Sequence, residues 1–314
     1  MTNTYPLALS IIIVNWNVRD LLRNCLQSIY DNHKDNLTIE VIVVDSDSHD
    51  ASVEMIQKEF EQVVLLAQSA NVGFTKGNNI GLEVARGKYI LLLNPDTEII
   101  GDSLQQMVRF LEAHTDVGIA GPHTLNTDGT YQSTRRRFPT IMTAFFESTW
   151  LQPFAPKAIL EHFYVSEFAD DATIEVDWVQ GSALMARREV YEQIGGLDTG
   201  FVMFSEEMDW CKRAKDAGWK VFYLGDALIT HHGGKSTEQV TANKHIYFQE
   251  SKLRYFHKHH GWLVASLLRA FLLSTYAIQI GIEGIKSLLG SKRAMRQERI
   301  QAYWQVIRSG LKVS

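Results

Sequence analysis

Ile39-Glu40-Val41-Ile42-Val43-Val44-Asp45 is a β-branched apolar run that stops at a carboxylate and passes, through Ser46-Asp47-Ser48-His49-Asp50, into a helical pattern. A run of this length and composition reads as a strand. The same design occurs at Leu9 to Asn15 and again at Ile90 to Leu93, which ends in Asn94-Pro95-Asp96. Strands alternating with helices predict an α/β fold with a doubly wound, mostly parallel central sheet. Such sheets bind ligands beyond the carboxyl ends of their strands, and all three polar clusters lie there.

The bulk composition fits that reading. With 314 residues, 45% of them hydrophobic and 21% charged, the chain can bury a substantial core. A net charge of -5 gives no basic face for duplex nucleic acid, so nucleic acid is not expected as a partner. The two cysteines, Cys25 and Cys211, are far apart and lack metal-type spacing, which argues against a disulfide framework or a zinc site and for a reducing, cytoplasmic setting. No Lys or Arg precedes the run Leu7 to Val14 and no small-residue cleavage site follows it, so it reads as a buried strand and not as a signal peptide.

Further along, Asn71-Val72-Gly73-Phe74-Thr75-Lys76-Gly77-Asn78-Asn79-Ile80-Gly81 opens a helix. Glycine there lets backbone approach a ligand, and a helix N-terminus favours phosphate; an ordinary loop is the plainer alternative. Asn94 and Asp96 place two oxygen-bearing side chains at the sheet rim, suited to a hard divalent cation that also holds diphosphate oxygens, although Asn, Pro and Asp equally make a strand-end turn. In Ser205-Glu206-Glu207-Met208-Asp209-Trp210 the serine reads as a helix cap, with Glu206, Glu207 and Asp209 in the first turn where the macrodipole favours acids. A carboxylate in that place can also take a proton from an acceptor hydroxyl. Thr230-His231-His232-Gly233-Gly234-Lys235 follows a strand; an imidazole there can complete a metal's coordination, and Lys235 can meet phosphate charge. Asp45, at its strand end, is a ligand candidate, whereas Ser48 and Asp50 serve equally as helix caps.

These clusters, in this order, resemble the family 2 glycosyltransferases with the GT-A fold over roughly residues 7 to 240. They are most similar to the bacterial branch that includes rhamnosyltransferases of cell-wall and polysaccharide assembly. The resemblance implies that Asp45 contacts the donor's base, that Asp96 holds a divalent metal, Mg2+ or Mn2+, on the diphosphate together with His231, and that Glu207 is the general base of an inverting single displacement. Asn94 stands where many GT-A enzymes carry the first Asp of D-x-D. Arg136 and Arg137, before Phe138-Pro139, fit a diphosphate contact, since guanidinium binds phosphate oxygens in bidentate fashion; a solvated basic run is the alternative. Asp47, Asn71, Gly73, Lys76, Asn78, Trp178, Glu206, Asp209 and Lys235 complete the candidate substrate-binding set.

The expected organisation is a catalytic domain over residues 1–248, its nucleotide-sugar half in 1–125 and its acceptor half in 126–248, followed by a helical tail in 249–314. The aromatic segment 141–170 reads as an insertion or flap. In the tail, Trp262 to Ile282 approaches the roughly 20 residues of a bilayer span. Arg269 inside it and Lys286, Lys292, Arg293 and Arg296 after it favour an interfacial helix, with peripheral contact at the inner membrane face through 262–296; a soluble helical cap packed on the domain and a span in an integral-membrane transferase acting on a polyprenyl carrier are the alternatives. The partners implied are a nucleotide-diphosphate sugar and a glycan or lipid-linked acceptor, with dTDP-rhamnose as the favoured donor. A non-catalytic sugar-nucleotide scaffold is the rival reading. A dinucleotide-dependent oxidoreductase is excluded, because Asn15-Trp16-Asn17-Val18-Arg19 is no Gly-x-Gly-x-x-Gly turn.

Overall fold

A computed structural model describes residues 5–33, 37–233, 241–290 and 292–312. The chain begins with β1 (Leu7–Asn15), α1 (Arg19–Asn32), β2 (Ile39–Asp45), α2 (Ser52–Glu59), β3 (Val64–Ala67), α3 (Gly73–Val84) and β4 (Gly87–Leu93). Their strands lie in the order β3-β2-β1-β4, all parallel. Along β1, Leu9, Ile11 and Ile13 join a cluster with Leu22, Cys25, Leu26 and Ile29 of α1, while Ile12 and Val14 meet α3 on the other face. Successive strand side chains point to opposite faces, so this continuous apolar run is what a sheet covered by helices on both sides requires.

β5 (Thr97–Ile99), α4 (Ser103–Ala113), β6 (Val117–Leu125), β7 (Tyr131–Gln132), β8 (Arg135–Arg136), α5 (Ile141–Phe146) and α6 (Lys157–Tyr164) follow. Then come β9 (Ile174–Val176), β10 (Trp178–Val179), β11 (Ala183–Arg187), α7 (Arg188–Ile194), α8 (Glu206–Asp216) and β12 (Lys220–His231). The sheet continues from β4 through β11-β6-β12-β5, with β7 on β6 and β9 on β12. β11 runs antiparallel to both β4 and β6, which themselves continue the α/β pattern. Between Ile174 and Arg187 the chain thus forms three short strands. The break at Gln180-Gly181-Ser182 turns the chain from β10, which pairs with β8, into the main sheet.

The chain divides into two compact units. One comprises Met1–Phe138, Tyr164–Thr199 and Glu206–Glu238 and carries the sheet. The other comprises Pro139–Phe163, Gly200–Ser205 and Gln239–Ser314 and is helical, with α9 (Thr241–His260), α10 (Trp262–Leu288) and α11 (Arg293–Ser309). The expected boundary after residue 248 falls inside α9. Within the helical unit, the buried Lys252 Nζ donates to the Glu147 carbonyl at 2.8 Å, tying segment 139–163 to α9. On α10, Ala265, Leu268, Leu272, Thr275, Tyr276 and Glu283 form one buried stripe, and Leu263, Leu267, Ile278, Ile282, Ile285 and Leu288 stand exposed.

Candidate active site

The rim at the end of β4 is assembled by strand register. β5 pairs antiparallel with β12, setting His231 against Thr97. The His232 N–H donates to the Asp96 carbonyl at 2.8 Å, and His231 Nε2 stands 3.3 Å from Asp96 Oδ1 and 3.4 Å from Asn94 Nδ2. The second histidine turns away to Glu98, with Nε2 2.8 Å from Oε1. Gln132 fixes the His231 ring from behind. Its Nε2 donates to Asn126 Oδ1, which leaves Oε1 to accept the His231 Nδ1–H at 2.6 Å. A neutral imidazole protonated at Nδ1 presents a lone pair at Nε2 toward a carboxylate, and two acceptors facing each other fit a cation between them. Among the described residues no three His, Cys, Asp or Glu side chains converge, so at this rim Asp96 and His231 stand as a pair. One or two protein ligands plus phosphate oxygens is the usual manner of holding Mg2+. The donor set therefore suits a divalent cation shared with a diphosphate.

The second group of acids lies at the start of α8. Glu206 is 4% exposed and its Oε2 has no hydrogen-bond partner. Burial, and then the charge of Glu207, push its pKa well above the usual carboxylate value. Glu207 is shifted upward too, chiefly by burial, while backbone N–H groups of residues 207, 181 and 208 pull the other way. Glu206, without such amide donors from its neighbours, is pushed up further, so Glu207 is the acid of the pair that ionises more readily. Gly181 packs against Glu207, since a Cβ built there would stand 3.6 Å from Glu207 Cβ. The next residue, Ser182, accepts the Asn94 N–H at 2.9 Å. The two groups of side chains are thus joined through consecutive peptides. Phe204 and Ser205, ahead of the helix, have left-handed backbone (φ 70 and 65), unlike the extended conformation of an ordinary cap.

At the end of β2, Asp45 is 1% exposed and both its oxygens are engaged: Oδ2 accepts Asn15 Nδ2 at 2.8 Å, and Oδ1 accepts the Ser48 N–H at 2.9 Å. It straps the ends of β1 and β2 and shapes the loop beyond them. Asp47, in left-handed backbone (φ 61), is the more open carboxylate of that loop. Asp50 accepts from both Arg19 N and Ser52 N, so it serves the starts of α1 and α2 together. Asn71 Oδ1 accepts the Gly73 N–H and sets the left-handed turn at Gly73 (φ 75), and Lys76 is exposed. Asn78 is buried and donates to the Phe74 carbonyl of its own helix; Asn79 clamps the backbone N–H and C=O of Leu197. Gly77 and Gly81 have a packing role, because a Cβ on either would come within 2.7 Å of Val14 or 2.4 Å of Ile12.

Several expected ligand contacts are otherwise engaged. Arg136 Nη1 donates to Ser133 Oγ and to the Arg135 carbonyl, and its guanidinium lies 4.6 Å from the Tyr164 ring centroid. Arg137 reaches the Glu175 carbonyl at 3.4 Å and stands 4.0 Å from Asp177. These arginines are built into strand β8 and its surroundings rather than forming a solvated basic run. Trp178 is buried, with its Nε1–H donating to the Arg137 carbonyl at 3.1 Å. Asp209 is 0% exposed and pairs at 2.8 Å with Arg213, whose other nitrogens donate to the carbonyls of Ile194 and Gly196. Trp210 donates to the Gly195 carbonyl from the core. Asp209 and Trp210 fasten α8 to the Gly195-Gly196 turn, a structural duty in place of the substrate contact expected of Asp209. Lys235 lies outside the described residues.

Residues 10–195 match the model of glycosyl transferase family 2. The chain belongs to that family. This glycosyltransferase is 25% identical, over 81% of its length and 86% of the relative's, to an N-acetylglucosaminyl-diphospho-decaprenol L-rhamnosyltransferase of Mycobacterium tuberculosis. Over 58% of its length and 69% of the relative's it is 24% identical to the rhamnosyltransferase WbbL of Escherichia coli. In three dimensions it resembles a Pyrobaculum calidifontis mannosyltransferase in complex with GDP-Man and Mn2+, with a TM-score of 0.54, 15% identity, and 98% and 90% of the two chains covered. It also resembles GalNAc-T7 with UDP, GalNAc and Mn2+, with a TM-score of 0.58 and 14% identity over 81% of this chain and 48% of that one. The fold is therefore GT-A, as the order of motifs implied.

Two contributors to this glycosyltransferase's site escaped the reading of the sequence. Gln132 lies in a short polar strand after a Gly-containing turn, where no pattern ties it to a histidine 99 positions later. The pair Gly181-Ser182 carried one visible signal, a glycine interrupting an apolar strand, which often marks a close backbone approach.

Proposed function

We propose that this glycosyltransferase moves a sugar from a nucleoside-diphosphate donor to a hydroxyl of a glycan or lipid-linked acceptor with inversion at the anomeric carbon, in the assembly of cell-surface polysaccharide. Rhamnose carried on dTDP is the favoured donor, supported by the names of the two rhamnosyltransferase relatives. The observation that carries the reading is the link from Glu207 through Gly181-Ser182 to Asn94, which sets a proton acceptor at a fixed place relative to the Asp96–His231 rim.

In this mechanism Glu207 takes the proton of the acceptor hydroxyl as that oxygen attacks the anomeric carbon, and the bond to the diphosphate oxygen breaks. Glu206, held protonated by burial, keeps a second negative charge away from the base. Asp96 and His231, with Asn94 beside them, would hold a divalent cation, which when bound offsets the charge of the leaving diphosphate. The loop that Asp45 shapes, with Asp47, receives the nucleoside. The turn at Asn71-Gly73 and Lys76 lies with it on the donor side, in the nucleotide-binding half.

Peripheral membrane contact belongs to the same proposal. α10 is long and apolar enough to cross a membrane, and its exposed apolar face is flanked by Lys286, Arg293 and Arg296. Such a face with basic flanks suits the surface of an anionic bilayer. Co-flotation of the full chain with anionic vesicles, reduced by Ile285→Glu with Leu288→Glu, is the expected result; equal recovery with neutral and anionic vesicles refutes it.

The test of the function is calorimetric binding of dTDP, UDP and GDP with and without Mn2+, on the native chain and on Asp96→Ala. Metal-dependent binding of one nucleotide, lost in the variant, is expected. Glu207→Gln should bind that nucleotide normally and transfer almost nothing. Normal turnover by Glu207→Gln refutes the assignment of the base.

A further inference from the structure

The aromatic segment between β8 and β9 takes shape in the helical unit. Phe145 meets Phe271 of α10 edge-on at 4.7 Å, and Trp150 meets Phe154 at 6.4 Å. Within this unit opens a cavity of about 460 Å³ whose walls include Trp150, Phe204, Phe248, Gln249, Tyr276 and Gln279. That volume falls within the roughly 300–1,000 Å³ of small-molecule sites. The α10 residues Leu272, Thr275, Tyr276 and Gln279 share one helix face along the wall.

The wall combines flat aromatic faces with uncharged amides and hydroxyls, and among the described residues that line it Lys244 carries the one permanent charge. Gln249 is 3% exposed. Its Nε2 donates to Tyr276 Oη at 3.2 Å, while its Oε1 is buried without a partner. Turning the amide over would give Oε1 the tyrosine hydroxyl and leave the NH2 bare. One end of this amide therefore lacks a partner in either orientation, a costly condition for a buried polar group. A ligand hydroxyl both donates and accepts, so it suits either case. Phosphate oxygens only accept, and an isoprenoid chain would leave the amides unpaired.

We infer that this cavity is a saccharide-binding subsite, with sugar rings stacked on Trp150 and the neighbouring aromatics and hydroxyls meeting Gln249 and Gln279. This assignment rests on the proposed transfer to a glycan acceptor, of which the saccharide would be a part.

The experiment is saturation-transfer NMR on the full chain with N-acetylglucosamine, glucose, galactose and rhamnose at millimolar concentration, with farnesyl phosphate as the contrasting probe. At least one sugar should receive saturation at its ring protons. Trp150→Ala should weaken that binding about tenfold, Trp150→Phe should retain most of it, and Gln279→Ala should weaken it as well. Circular dichroism confirms that each variant is folded, and the half-exposed position of Trp150 favours that. Saturation of no sugar, a signal unchanged in Trp150→Ala, or displacement of the sugar by farnesyl phosphate overturns the inference. Nucleotide binding on the same samples separates the two readings. A sugar signal without nucleotide binding keeps the subsite and removes the transferase reading, and the reverse removes only the subsite.

Discussion

Replacing Gln132 by Leu removes two hydrogen bonds, to His231 and to Asn126, at some remove from any substrate, and the effect of losing the first on metal affinity can be worked out from the rim. In the native chain the Nδ1–H of His231 is accepted by Gln132 Oε1 at 2.6 Å, so the neutral imidazole that can bind a metal has its lone pair on Nε2, 3.3 Å from Asp96. Leucine fills a similar volume and accepts nothing. The imidazole then prefers its other tautomer, with the proton on Nε2 donated to Asp96, which occupies the carboxylate and removes the nitrogen ligand together. Loss of such an outer partner typically costs about 10- to 100-fold in metal affinity, or about 1.4 to 2.7 kcal/mol. The assay is a Mn2+ titration of the protein with the nucleotide that binds it, read by calorimetry. The Mn2+ midpoint should rise by that factor in Gln132→Leu and stay near native in Gln132→Glu, whose carboxylate also accepts from Nδ1. A native midpoint in Gln132→Leu would refute the tautomer argument.

Three further outcomes follow from the same geometry. Glu206 has its pKa raised by burial, so its protonated form stabilises the fold fully below the ordinary carboxylate range and that stabilisation is lost as pH rises through the raised value. Glu206→Gln should therefore be more stable than the native chain at pH 8, by about 2 kcal/mol, and no more stable at pH 4; thermal melts at the two pH values check it. Arg213→Met removes the guanidinium that pairs with the buried Asp209 and should cost about 3 kcal/mol in urea unfolding, with nucleotide affinity unchanged. Gly77→Ala drives a methyl to within 2.7 Å of Val14 and should cost about 1–3 kcal/mol in the same assay; a neutral result would mean that α3 moves off β1 easily.

The fold was legible because its strongest signals are local. β1, β2 and β4 are unbroken apolar runs that end in polar clusters, and their register follows from burial on both faces. That Asp96 and His231 lie at one rim was legible for the same reason, since each follows or ends a strand, and the structure sets them 3.3 Å apart. Arg136 and Arg137 were not, because a three-arginine run looks solvated until β8 finds β10, about 40 residues later. Asp209 was read as a substrate contact although its spacing to Arg213, one helical turn away, was visible in the sequence. The glycines at 77 and 81 have a similar lesson: four apart on one helix, they smooth a face for close packing on a strand.

The dipeptide Gly181-Ser182 acts as a gauge block between two tools. One peptide unit touches the base and the next is bonded to the turn that bears Asn94, so their spacing is a covalent length rather than the sum of two flexible loops. Lengthening or exchanging the surface segments on either side should leave that spacing alone. A designer could therefore graft new recognition loops onto this frame while the separation of proton acceptor and rim stays fixed, provided that these two residues and the chain direction of β11 are kept.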